Sequence, residues 1–192
     1  MNGKIFNAKS IFTCWTIMLF ISCTGQKQEL IQLNFEKDLI PEGIALDQRT
    51  KKIYLNSLKN NKIVRSSLDG SNPETFLRSN QHDYLAGFGM TVKGDTLYAI
   101  GNSLSGNANK SILLLLQLST GDLIESYSIN DSDFRYLNDL VVSSNNEIFI
   151  TDSESNKIYR IQRPNKAIEV YLDSEEISRS NGIAISNNDE YL

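Results

Sequence analysis

The chain has 192 residues, 40% of them hydrophobic and 22% charged, with 19 basic and 23 acidic side chains for a net charge of −4. That length fits one domain with enough apolar content for a core, and the acidic balance leaves no basic face for nucleic acid. One histidine (His82) and two cysteines (Cys14 and Cys23) exclude zinc fingers and disulfide scaffolds, whereas the carboxylates and many Asn keep oxygen-ligated hard cations open.

Residues 1–22 read as a secretory leader. Lys4 and Lys9 precede the apolar run Ile11–Ile21, which is too short for a comfortable membrane span. The stretch Phe20-Ile21-Ser22-Cys23 resembles a bacterial lipobox. That resemblance implies cleavage before Cys23, lipid on its thiol, and a cell-envelope lipoprotein held at the membrane by buried methylenes. An ordinary signal peptide cut nearby, or an uncleaved anchor, is the plainer alternative. Residues 23–30 read as a short polar tether.

The remainder, 31–192, repeats. Gly43-Ile44-Ala45-Leu46-Asp47 precedes Lys52-Ile53-Tyr54-Leu55-Asn56, and Gly89-Met90-Thr91-Val92-Lys93 precedes Thr96-Leu97-Tyr98-Ala99-Ile100. Asp139-Leu140-Val141-Val142-Ser143 precedes Glu147-Ile148-Phe149-Ile150-Thr151, and Gly182-Ile183-Ala184-Ile185-Ser186 precedes Glu190-Tyr191-Leu192. The spacings are 46, 50 and 43 residues, which is the period of propeller blades. Each complete repeat holds four runs rich in Ile, Val, Leu and Tyr, separated by turn residues such as Asp69-Gly70 and Asn145-Asn146. The run Leu113–Leu116 is read as a strand buried on both faces. The expected fold is all-β, a six-bladed β-propeller of which the chain supplies about three and a half blades, near 41–80, 85–130, 137–173 and 180–192 (truncated). A β-sandwich matches the strand count but leaves the fourfold register unexplained.

In a propeller the residue before each first strand sits at the mouth of the central channel. That position reads Glu42, Phe88, Asn138 and Asn181. One carboxylate and two amide carbonyls form a hard-cation set, suited to calcium rather than zinc. Asp139 adjoins a ligand, but strict strand alternation turns its carboxylate away and leaves it a supporting role. His82 lies in a loop before the second repeat. Asp131 and Asp133 form an acidic loop of the kind that is usually only solvated.

The segments Pro41-Glu42-Gly43-Ile44-Ala45, Leu137-Asn138-Asp139-Leu140 and Ser180-Asn181-Gly182-Ile183-Ala184 resemble those of the gluconolactonase/senescence-marker-protein family. The resemblance covers roughly residues 35–192. It implies six blades around a divalent cation, Ca2+ by the family's habit, with Glu42, Asn138 and Asn181 as metal ligands. It implies a fourth ligand, an Asp of the fifth blade, beyond residue 192. The family's substrate-binding Arg falls at Tyr136 here, with Arg135 one place off. The implied activity is hydrolysis of a lactone or related ester, in which the ion polarises the carbonyl and acidifies a bound water while a carboxylate takes the proton. Asp139 is the weak catalytic candidate within this stretch. Six blades at this period need about 270 residues, so further blades or another chain are expected to close the ring. The alternative is a non-catalytic surface propeller that uses its ring as a binding platform.

Overall fold

Short β-branched and leucine-rich runs separated by tight turns pair here with their immediate neighbours in sequence. The computed structural model describes residue 30 and residues 36–104, 109–130, 135–163 and 167–192. The leader, Cys23 and the Asp131/Asp133 loop lie outside the described residues, as does the tether apart from Leu30. The first sheet is β1 (Ile44–Asp47), β2 (Lys52–Asn56), β3 (Ile63–Ser67) and β4 (Glu74–Leu77). The second is β5 (Ala86–Lys93), β6 (Thr96–Asn102), β7 (Lys110–Gln117) and β8 (Leu123–Asn130). The third is β9 (Leu137–Val142), β10 (Ile148–Asp152), β11 (Lys157–Ile161) and β12 (Ile168–Asp173). Within each sheet spatial order follows chain order and every pairing is antiparallel, the meander of a propeller blade.

The sheets pack face to face through alternating side chains. In β7, Ile112, Leu114 and Leu116 enter the core shared with the first sheet, while Leu113 and Leu115 enter the core shared with the third. The strand is therefore buried on both faces, as its unbroken apolar run predicts. β6 divides the same way, with Leu97 and Ala99 on one side and Tyr98 and Ile100 on the other. Full burial of each such leucine contributes about 1.5–3 kcal/mol, which makes these two cores the main cohesive force between sheets.

The fourth repeat is present as a turn. Among the described residues 180–192 there is no strand. Instead Ser186-Asn187-Asn188-Asp189-Glu190 reproduces the hydrogen bonds of Ser143-Ser144-Asn145-Asn146-Glu147. The Glu147 and Glu190 amides donate to the Ser143 and Ser186 hydroxyls at 3.0 and 3.1 Å, and the Asn145 and Asn188 amides donate to the Glu147 and Glu190 carboxylates at 3.1 and 2.7 Å. Asn146 and Asp189 both take positive φ, 68° and 57°, a conformation that Asn and Asp tolerate because their side chains bond locally.

These turns are fastened to one another. Arg49 donates to the Gly94 carbonyl (2.6 Å) and to Asp95 (2.7 Å). Lys93 donates to the carbonyls of Ser143 and, at 3.2 Å, Ser144. The Ser144 amide donates to Asp189 at 2.7 Å. Turn by turn, these bonds hold consecutive repeats in phase at one end of the first strands, and the candidate site lies at the other.

Candidate functional site

Antiparallel register places the start of each first strand beside the end of the second, since Ile44 pairs with Leu55 in the first sheet. A polar residue stands at that end in every sheet. Asn56 Oδ1 accepts from the amides of Gly43 (2.8 Å) and Glu42 (3.4 Å), and its amide donates to the Phe88 carbonyl of the next repeat. Asn102 Oδ1 accepts from the Leu137 amide at 3.2 Å, and its Nδ2 donates to the Leu137 carbonyl at 2.8 Å. In the third sheet Thr151 and Ser153 donate to the carbonyls of Asn181 and Ser180, each at 2.7 Å. The first strands of successive repeats are thus stitched side by side by side chains at the ends of the second strands.

Such close approach demands small residues. A Cβ on Gly89 would lie 2.6 Å from the Asn138 carbonyl oxygen and 2.7 Å from the Asp139 Cα, both backbone atoms that have nowhere to move. The corresponding residue of the third repeat is not glycine but Asp139. Its register slips from Ile150–Leu140 to Asp152–Leu137, so Asn138 and Asp139 together oppose Thr151. This bulge breaks alternation. Asp139, expected to turn away from the channel mouth, lines the same cavity as Asn138 because the extra residue re-aims it.

The cavity has a volume of about 220 Å³ and is lined by Glu42, Gly43, Ile44, Gly89, Met90, Asn138, Asp139 and Asn181. The structure therefore brings Glu42, Asn138 and Asn181 from three repeats to one concavity. Asn138 is buried, and a relay of hydrogen bonds fixes which way its amide faces. Ser153 gives its hydroxyl proton to Ser180, so its oxygen accepts from Asn138 Nδ2 at 2.8 Å. The carbonyl end of Asn138 is left as the group for an electrophile. Asp139 takes the Leu140 amide on Oδ1 (2.8 Å) and the Ile183 amide of the fourth repeat on Oδ2 (3.2 Å). Burial, and secondarily the charge of Asp139, raise the Glu42 pKa above the ordinary carboxylate value. A divalent cation between these carboxylates would relieve that repulsion, and the oxygen-only donor set fits calcium chemistry. Among the described residues no group of three or more His, Cys, Asp and Glu side chains forms a metal cluster, so any such site here depends on the two amides.

The other sequence-derived candidates lie elsewhere. Tyr136 stacks on Phe88, ring centroids 5.6 Å apart and planes 19° from parallel. Arg135 is buried against the Tyr159 ring at 5.9 Å. His82 sits in the single-turn 3-10 helix Gln81–Asp83. None of these three lines the cavity. The stitching residues Asn56, Asn102, Thr151 and Ser153 escaped the sequence reading. Asn56 and Asn102 close their apolar second strands at the same repeat phase, a signal that Thr151 and Ser153, which flank the equivalent Asp152, do not share.

No protein-family model matches this chain, and no curated protein sequence matches it. Solved structures do. A catalytically inactive virginiamycin B lyase from Staphylococcus aureus, bound to quinupristin, matches with TM-score 0.57 and 19% identity over 78% of this chain and 46% of its own. A candidate gluconolactonase from structural genomics gives 0.56 and 14% over 77% and 53%. A Bacteroides caccae protein of unknown function gives 0.57 and 9% over 78% and 50%. The chain spans about half the length of these structures. At such identities the likeness shows the fold alone. The chain carries part of a β-propeller, of the architecture shared by gluconolactonase-like and virginiamycin B lyase proteins.

Proposed function

We propose that this chain forms part of a calcium-dependent hydrolase of lactones or related esters, tethered to the cell envelope through lipid on Cys23. The observation that carries the reading is the meeting of Glu42, Asn138 and Asn181, from three repeats, in one 220 Å³ cavity. Glu42 would hold the ion by charge, and Asn138 by the carbonyl that the Ser153 relay turns outward. Asn181 would complete the set from the fourth repeat, its backbone fixed by Thr151. A bound divalent ion would supply Lewis acidity, polarising the substrate carbonyl and lowering the pKa of water. Asp139 keeps a further lone pair on each oxygen, which makes it the carboxylate in the cavity suited to accept the proton of an attacking water. Its bond to Ile183 also braces the fourth repeat against the third. Complete rings of this type hold six blades in the family resembled, so the remaining coordination is assigned to blades outside these residues. The test is elemental analysis of the purified full-length protein, with lactone and aryl-ester turnover measured before and after chelation. Bound calcium and turnover that stops with chelator and returns with calcium support the hydrolase. Metal-free protein without chelator-sensitive turnover leaves the binding-platform reading.

A further inference from the structure

Antiparallel register sets the same trio abreast in each sheet: Tyr54, Arg65 and Glu74 in the first, Tyr98, Leu115 and Glu125 in the second, Phe149, Arg160 and Glu169 in the third. An aromatic follows each glutamate by two places, Phe76, Tyr127 and Tyr171. Tyr54 and Phe76 enter the core shared with the second sheet, and Tyr98, Leu115 and Tyr127 the core shared with the third. In the third sheet Ile148, Ile150, Tyr159 and Ile161 face the second, so alternation turns Phe149 and Arg160 to the opposite side.

The glutamate draws its guanidinium from opposite sides at the two interfaces. Arg65 stands beside Glu74 at 2.7 Å, and its Nη1 donates to the Leu118 carbonyl of the next sheet at 2.7 Å. In the second sheet Leu115 takes the arginine's place, and Glu125 pairs across the interface with Arg163 of the third repeat at 3.0 Å. Arg163 follows Arg160 by three places, as Leu118 follows Leu115. At this place the first interface therefore combines Arg65 with Leu118, and the second Leu115 with Arg163. Exchanging the sheets would set two guanidiniums together, or leave the buried Glu125 with none.

The third sheet repeats the arrangement of the first. Arg160 gives Nε and Nη2 to Glu169 at 2.8 and 2.5 Å, and lies 5.2 Å over the Tyr171 ring as Arg65 lies 4.9 Å over Phe76. Phe149 meets Tyr171 edge to face at 5.0 Å, as Tyr54 meets Phe76. Yet Tyr171 is 48% exposed, against 8% for Phe76 and 5% for Tyr127. Among the described residues no acceptor meets Nη1 of Arg160, the donor that in Arg65 goes to a main-chain carbonyl. The chain already brings the start of its fourth repeat to the third sheet, where Thr151 and Asp139 bind the backbone of Asn181 and Ile183.

We propose that the side supplying the arginine fixes which sheet follows which, and that the outer face of the third sheet receives a further sheet of this same protein. That sheet, continuing the fourth repeat, brings an uncharged residue and a main-chain carbonyl to Arg160, as Leu118 does to Arg65. The proposal is independent of calcium and of any hydrolysis.

The full-length protein carries the test. Arg65→Leu and Leu118→Arg should each lower the urea midpoint, and the double variant, which gives the first interface the arrangement of the second, should regain most of the loss. Losses that add, or a double variant that does not fold, overturn the pairing rule. Arg160→Leu should lower the midpoint as Arg65→Leu does; an unchanged midpoint means that the covering sheet brings its own cation, and overturns the predicted partner. In hydroxyl-radical footprinting Tyr171 should oxidise as slowly as Tyr127 in protein that sediments as a monomer. Oxidation of Tyr171 faster than Tyr127 in proportion to their exposures here overturns the assignment of a covering sheet. Protection that disappears when a dimer is diluted to monomer gives the face to a second copy, and overturns it equally.

Discussion

Glu42 and Asp139 share a concavity with no cation among its lining residues, and Glu42 bears the consequence. A carboxyl whose folded pKa is raised costs stability at neutral pH and returns it as pH falls through the folded value. Glu42→Gln should therefore leave the melting temperature of chelated protein unchanged or slightly higher, while abolishing the rise that we propose calcium gives the wild type. Scanning fluorimetry with and without calcium reads both, and a variant that keeps the calcium-dependent rise contradicts the assignment of Glu42. Gly89→Ala tests the close approach of strands. The added methyl meets backbone of Asn138 and Asp139, and overpacking of this kind costs about 1–3 kcal/mol, visible as a lower urea midpoint. The positions of Glu42, Asn138 and Asn181 were legible because a repeat phase marks them without knowledge of contacts. The side that Asp139 faces was not legible, because its placement depends on a bulge and one extra residue in a ladder leaves no trace in apolar spacing.

Among the elements, the ends of the second strands carry the inter-repeat bonds on the cavity side. Asn102 is fully buried and serves both the amide and the carbonyl of Leu137, besides accepting from Ser111 at 2.7 Å. Asn102→Ala strands the Leu137 backbone groups and should cost about 2–4 kcal/mol in urea unfolding. A loss under ~1 kcal/mol would show that the stitch is dispensable. The first hairpin makes a pH prediction. Burial of Asp47 acts to raise its pKa, but the Thr50 hydroxyl and the Arg49 amide outweigh it and hold the group below the ordinary carboxylate value. A lowered folded pKa gives stability above the unfolded pKa that is lost as pH falls through the folded one. Thr50→Ala removes part of that lowering, so acid unfolding followed by circular dichroism should begin at a higher pH. At this scale β7 was legible from its four consecutive leucines, since only a strand covered on both faces tolerates them. The fourth repeat was legible in phase but not in form: 180–192 keeps the Ser-Asn-Glu turn without the expected strands, because a first strand becomes a strand only against ladder partners.

Across the whole molecule, the sheets meander outward from their first strands, two shared cores press them together, and a chain of turn contacts keeps them in phase. This arrangement turns four weak sequence motifs into one concavity, and it does so by symmetry, since residues 42, 138 and 181 have no local reason to meet. We propose that this concavity holds a divalent cation. Calcium titration of the full-length protein by calorimetry, alongside Asn138→Ala and Asn181→Ala, tests it most directly. The expected result is a single site whose affinity falls at least about tenfold in each variant, for loss of one oxygen donor. Calcium binding that both variants leave untouched, or no binding to the wild type, would contradict it.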